Sequence, residues 1–270
     1  MPTTKHELSR MTWKEAEEAF AQNKVFLLPL GSMEEHGPHS VTGDYRAAEE
    51  AAKEIAKRTD SVMVPVIPFG YSEYFRSYPG TISFSPATLY KILEDIFDCL
   101  LEHGARKFLI VNGHGGNSAI VEMYCRSLRR KTGIMIGKFD IWQVLTPEMK
   151  AELFGRENLS KCMGHGAEPV TSVMSYLSPS DIRMDLVGPD DRVSHWQEFE
   201  IKTVGKTQVA GVEACVYFDM KDITSQGCLA DPHYGSAEIG ERIFAQMVAV
   251  GCAFVKKIAN SEMHIECENL

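Results

Sequence analysis

Glu34, Glu35, His36, His39 and Asp44 crowd into eleven positions directly after the apolar run Val25-Phe26-Leu27-Leu28-Pro29-Leu30. Carboxylates and imidazoles at the tip of a buried strand are costly as packing and useful as chemistry. Glu34 and His36 stand two apart, so extended backbone sends both side chains to the same face, where they can grip one cation. Two further clusters carry the same chemistry: His114 lies in "NGHGGN" and Glu168 in "GHGAE". Glu34, His36, Asp44, His114 and Glu168 make a mixed nitrogen and oxygen set without thiolate, which suits zinc, manganese or a similar divalent ion. Three carboxylates also suit two ions sharing a bridging aspartate, an arrangement that activates water. The glycines of "NGHGGN" let backbone approach an ion or oxyanion closely.

Each cluster also has a plainer reading. Glu34-Glu35 fits a solvated loop, and His36 and His39 fit a turn around Gly37-Pro38. "GHGAE" fits a helix start with an acid in its first turn. What sets these readings aside is the position of the clusters in the chain. "KVFLLPLG", "SVMVPVIPFG", "KFLIVNGH" and "IMIGKFDIW" read as strands, and helix-period segments between them follow the rhythm of parallel strands with helical crossovers. Ser85-Pro86 predicts a helix start, with Leu89, Ile92, Leu93, Ile96, Phe97 and Leu100 at helical spacing and Gly104 at the end. Asn117 or Ser118 predicts a second helix that runs to Arg130 and is stopped by Gly133.

Further helices are read at "PEMKAELF", from Glu168 or Pro169 to Leu177, and along the stripe Ile243, Met247, Val250 and Phe254. Residues 185–237 are rich in Gly and Asp, with short strand-like runs such as "EACVYFDM", and yield no firm element. No repeat or linker divides the chain, so the expected fold is one α/β domain over residues 1–270, a mostly parallel sheet flanked by helices. Ligands gather at the carboxyl ends of such strands. Three strand ends deliver Glu34-His36, His114 and Asp140-Trp142, and "GHGAE" precedes a helix, so four loops aim at one rim.

Bulk composition narrows the partners. Lys and Arg total 28 against 37 Asp and Glu, a net charge of −9, which argues against a nucleic-acid or anionic-membrane surface. Seven cysteines without a CxxC pair suit a reducing, cytoplasmic setting. No secretion signal or 18-residue apolar run is read.

With these residues assembled, "LPLGSMEEHGPH", "YPGTISF", "HGARKFLIVNGHGGN" and "GHGAEPVTS" together resemble the creatininase, or creatinine amidohydrolase, family. The resemblance spans nearly the whole chain in the family's order. It implies a creatininase-like α/β fold, two divalent ions (zinc or manganese), a small-molecule substrate, cytoplasmic location and a homo-oligomer, hexamers being frequent in the family. Glu34, His36 and His114 fall on the family's metal-ligand positions. Glu168 falls on the last carboxylate ligand, Asp44 nearest the bridging aspartate, and His165 on the histidine proposed as general acid or base. Trp142 resembles a tryptophan that closes over substrate. Lys161 stands near an aromatic substrate contact of creatininase, and with Arg76 and Tyr78 it suits a polar, oxygen-rich substrate.

The departures matter as well. The loop from Glu34 to Asp44 is one residue short, Val170 replaces an acid, and Gly115-Gly116 replaces a bulkier pair, which argues against creatinine itself. The expected activity is therefore a dinuclear metal hydrolase of a small cyclic or formyl amide. Two alternatives stay open: hydrolytic C–C opening of an inosose-type cyclic 1,3-diketone, and a non-catalytic metal-containing ligand-binding protein.

Overall fold

The computed structural model describes residues 5–266. Its centre is a parallel sheet of β1 (Val25–Leu30), β2 (Val62–Met63), β3 (Lys107–Asn112) and β4 (Ile136–Asp140), in the spatial order β2-β1-β3-β4. α1 (Trp13–Ala21) leads into β1, and α2 (Tyr45–Thr59), α3 (Pro86–Glu102) and α4 (Ser118–Thr132) make the three crossovers. Next come α5 (Pro147–Phe154), the single turn α6 (Leu159–Cys162) and α7 (Val170–Leu177), with α8 (Ala237–Ala259) closing the fold.

Period-two alternation splits the strands between two cores. Val25, Leu27, Leu109 and Val111 pack with α2, α7 and α8, while Phe26, Leu28, Phe108 and Ile110 pack with α3 and α4. The register is level at the far end: Leu30 pairs with Asn112, and Asn112 with Asp140. Three strands therefore release their chains side by side at one rim.

The local signals for α3 and α4 hold. The Ser85 hydroxyl accepts the Thr88 N–H with Pro86 in the first turn, and Gly133 closes α4 at φ 73°. Arg129, Arg130 and Lys131 occupy the last turn of α4, where cations complement the helix dipole. α2 was not anticipated. Its buried face is Ala47, Ala48, Ala51, Ala52, Ile55 and Ala56, and a row of methyl groups carries little of the large-residue periodicity that marks α3. The second apolar run shortens to Val62–Met63, and β4 starts two residues later than expected.

Residues 185–237 hold two small antiparallel hairpins, β5 (His195–Trp196) with β6 (Phe199–Glu200) and β7 (Lys206–Val209) with β8 (Val212–Cys215), so of the strand-like "EACVYFDM" only Glu213–Cys215 is strand. Ala210 and Gly211 turn the second hairpin with positive φ at both positions, the twist that a two-residue connection requires. Phe218, Met220 and Ile223 then fold onto Phe75 as a third, small core. Among the described residues no helix is long and apolar enough to cross a membrane, and the six described cysteines are free. Cys267 lies outside the described residues.

Candidate active site

At the rim, Glu34 takes the central place. One of its oxygens, Oε1, lies 3.5 Å from His36 Nε2, and the other, Oε2, lies 2.9 Å from His114 Nδ1. Asp44 Oδ2 is 3.2 Å from the same His114 nitrogen. Two groups of metal-ligating atoms result, Glu34-His36-His165 and Glu34-Asp44-His114, and they share Glu34. The sequence expectation placed the bridge on Asp44. In the structure Glu34 is common to both groups, while Asp44 at the mouth of α2 accepts the Ser32 N–H on Oδ1 at 2.6 Å and turns Oδ2 toward His114. The shortened loop still brings Asp44 to the cluster.

Neighbouring backbone fixes which nitrogen each histidine offers. His114 Nε2 lies 2.8 Å from the Tyr71 carbonyl oxygen, which can only accept, so Nε2 carries a proton. Nδ1 donates to the Glu34 and Asp44 carboxylates, which hold the imidazole well above its ordinary pKa against its burial, and Nδ1 is the nitrogen that a cation replacing that proton would find. Ser72 Oγ donates to Glu34 and lies 3.1 Å from the same Nε2. A Cβ on Gly116 would stand 2.2 Å from the Tyr71 carbonyl, so position 116 has no room for a side chain beside the cluster. The carboxylate that remains is Glu168, just before α7, which lines the same cavity with both oxygens buried and without a hydrogen-bond partner.

His165 is held in the same way. Its Nε2 donates to the Glu35 carbonyl at 2.8 Å and to Glu35 Oε1 at 3.1 Å, and its ring stacks on Phe75 at 4.0 Å and on His36 at 4.8 Å. Both Glu35 partners are acceptors, so Nε2 is protonated and Nδ1, which bonds no described residue, is left for the cavity that the ring lines. Glu35 itself is buried. Its Oε2 accepts the Gly37 N–H at 2.8 Å and packs on Gly227, where a Cβ would come within 2.0 Å. In extended backbone Glu35 points away from Glu34 and His36, which is why it reaches His165 and not the ligand cluster. That alternation was the available signal for Glu35; nothing in the sequence marked Phe75 or Ser72.

The electrostatics are those of a buried acid cluster lacking a full complement of positive charge. Burial raises the Glu168 carboxyl to about 7. Burial and the Glu34 charge raise Asp44 as well, while Glu34 itself, against its own burial, is lowered by His114. Burial and the neighbouring His165 push His36 down to about 3, which leaves it neutral and able to ligate. Burial opposes charge on His165, but the Glu35 carboxylate outweighs it and raises the pKa. The partnerless Glu168 oxygens, the partnerless His36 Nδ1 and the excess of acid all fit a divalent cation.

Trp142 lines the cavity, and its indole N–H donates to the Gly113 carbonyl. Two expected substrate contacts lie elsewhere. The Tyr78 hydroxyl is tied to the Thr224 carbonyl at 2.5 Å, outside the cavity lining. Lys161 faces a second cavity of about 420 Å³ with Arg192, Asp190 and His233, because the single turn of α6 buries Cys162 and leaves Lys161 on the other side.

Comparison with known proteins agrees with this geometry. The family model described as "Creatininase: Creatinine amidohydrolase" matches residues 9–255. The chain belongs to the creatininase family. The protein is therefore an enzyme, a metal-dependent hydrolase of that family. A creatinine amidohydrolase of Pseudomonas putida is 33% identical over 194 residues, 67% of this chain and 75% of its own. A mycofactocin precursor peptide peptidase of Mycolicibacterium smegmatis is 28% identical over 237 residues, covering 85% and 83%. A 3-dehydro-scyllo-inosose hydrolase of Thermotoga maritima is 31% identical over 107 residues, 39% of this chain and 34% of its own. Among solved structures, "E122Q mutant creatininase, Zn-Zn type" superposes with a TM-score of 0.76 at 25% identity, covering 95% of this chain and 99% of that one. "Creatininase Mn" gives 0.76 at 24% identity over 94% and 98%, a likeness of fold. The creatininase fold and the family's zinc or manganese thus accord with the rim described above.

Proposed function

We propose that the protein is a dinuclear metal-dependent hydrolase of a small cyclic or formyl amide other than creatinine. The observation that carries this reading is the divided Glu34 carboxylate, one oxygen toward His36 and the other toward His114, with Asp44 and the partnerless Glu168 in the same cavity. Glu34, His36, Asp44, His114 and Glu168 would hold the ions. When bound, zinc or manganese supplies Lewis acidity, polarising the amide carbonyl and making water a better nucleophile near neutral pH.

The side chains around the ions perform the rest. The His165 imidazolium, anchored through Nε2 by Glu35, presents Nδ1 and delivers its proton to the departing nitrogen. Water adds to the carbonyl carbon, the C–N bond breaks, and the products are a carboxylic acid and an amine. Trp142, pinned to Gly113, walls the cavity against bulk water. The family resemblance supports a cytoplasmic location and a homo-oligomer, hexameric as is frequent in the family.

The test combines metal analysis with His165→Ala. The variant is expected to keep two ions per chain while losing about 10²- to 10⁴-fold in hydrolysis of lactams or formamides. Failure to retain zinc or manganese, or full activity without His165, overturns the reading. The inosose hydrolase match favours C–C opening as a second reading, so a cyclic 1,3-diketone belongs in the substrate panel; its hydrolysis with no amide turned over would select that reading.

A further inference from the structure

Beyond the ligand cluster, the active-site cavity continues along a wall that the metal chemistry does not use. Its volume is about 640 Å³, within the range of about 300–1,000 Å³ typical of sites for drug-sized ligands and far more than a five-membered lactam fills. The wall begins at Phe75, stacked on His165, and continues through Tyr74, Val204, Phe218 and Leu229. These residues are one packed unit, the small third core, with Phe75 and Phe218 buried and the others half-buried beside them. Tyr217 stands at the lip, 89% exposed.

The charges of the lining point the same way. Lys206 is the one Lys or Arg among the lining residues, and it is committed to Glu213 at 2.5 Å. Glu73 and Asp219 add negative charge. Along the wall itself, away from His165 and the ion-holding cluster, an anionic substrate body would meet only Lys206, already paired with Glu213. A neutral one with an apolar or aromatic surface would find matching side chains next to the group that protonates the leaving atom.

We propose that this wall is a recognition subsite for a neutral apolar or aromatic substituent on the scissile amide, so that the preferred substrate is an aryl- or alkyl-substituted amide and not a bare ring. The inference rests on the amide-hydrolase reading above. In a hydrophobic pocket a single methylene changes specificity by about 10- to 200-fold, so a phenyl group seated on this wall has ample room to discriminate.

The experiment compares N-benzylformamide with N-methylformamide on the metal-loaded enzyme, wild type, Val204→Asp and Leu229→Ala. The expected kcat/KM ratio in favour of benzyl is at least about 100 for wild type. It falls at least about 10-fold in Val204→Asp, with the methyl substrate little affected. Leu229→Ala, the milder truncation, lowers the same ratio and keeps the test valid if Val204→Asp does not fold. N-benzylacetamide and N-methylacetamide, titrated calorimetrically into the metal-loaded protein, should show the same preference in binding. Equal turnover of both formamides, with a ratio untouched by either variant, overturns the subsite while leaving the hydrolase reading standing. No turnover of either formamide or of any lactam overturns both.

Discussion

Replacing Glu168 with Gln should stabilise the metal-free protein and cripple its response to metal. The carboxyl is buried, and burial, against the lowering influence of the nearby Ser172 hydroxyl and N–H, raises it from the ordinary 4.5 to about 7. Between those values the folded state holds a proton that the unfolded chain has released, so stability is complete below about 4.5 and is lost as pH rises through about 7. At about 1.4 kcal/mol for each factor of ten in proton affinity, the full loss is ~3 kcal/mol. A neutral amide of the same shape mimics the protonated acid and escapes that loss. Chelator-stripped Glu168→Gln and wild type should therefore melt together near pH 5, and the variant should melt roughly 6–10 °C higher near pH 8.5. Zinc should reverse the order. Wild type gains about 2.7 kcal/mol at a hundredfold excess of free metal over Kd, and the variant, having lost a ligand, gains less. Differential scanning fluorimetry over pH, with and without metal, reads both effects. Identical melting of the two proteins at every pH, or an undiminished zinc response in the variant, would refute the assignment of Glu168 to the cation.

Three other outcomes follow from the same geometry. Glu35→Gln, whose amide can no longer act as an anionic anchor for His165 Nε2, should lower kcat by about 10- to 100-fold with KM and metal content nearly unchanged, checked by steady-state kinetics beside elemental analysis. Gly227→Ala places a methyl against the Glu35 carboxylate at a backbone φ of 73°; it should cost about 1–3 kcal/mol in urea unfolding and lower activity along with stability. Phe97→Ala, fully buried between α3 and the sheet and remote from the cation cluster, should cost about 3–5 kcal/mol while the folded fraction keeps its metal and its turnover.

How much of this was legible beforehand depends on the kind of signal. β1 and β3 announce themselves because both faces are buried, so Val25 to Leu30 and Phe108 to Val111 are continuously apolar. α3 carries large apolar residues at helical spacing between Ser85-Pro86 and Gly104. α2 hides because alanine gives little contrast with its solvent face, although that same smallness lets it lie close to the sheet. The ligand types were readable from spacing and loop position. How those ligands divide between the two groups was not, since it depends on side-chain angles at the start of α2 and on the Ser32 amide. Lys161 and Tyr78 were misplaced for a related reason: one turn of helix and one hydroxyl-to-carbonyl bond decide which side of a wall a residue faces. The apolar wall belongs to a segment whose strands are two to four residues long, too short for periodicity to show.

The third core has a consequence for how such an enzyme can change. The cation grip hangs from strands clamped on both faces by the bulk of the protein, whereas the far wall is a small annex closed by four buried side chains, Phe75, Phe218, Met220 and Ile223. Mutations that reshape the annex leave the clamp undisturbed, so new clientele can be recruited without rebuilding the tool. Diversity of substrates on an unchanging reaction centre is then the natural outcome of this partition.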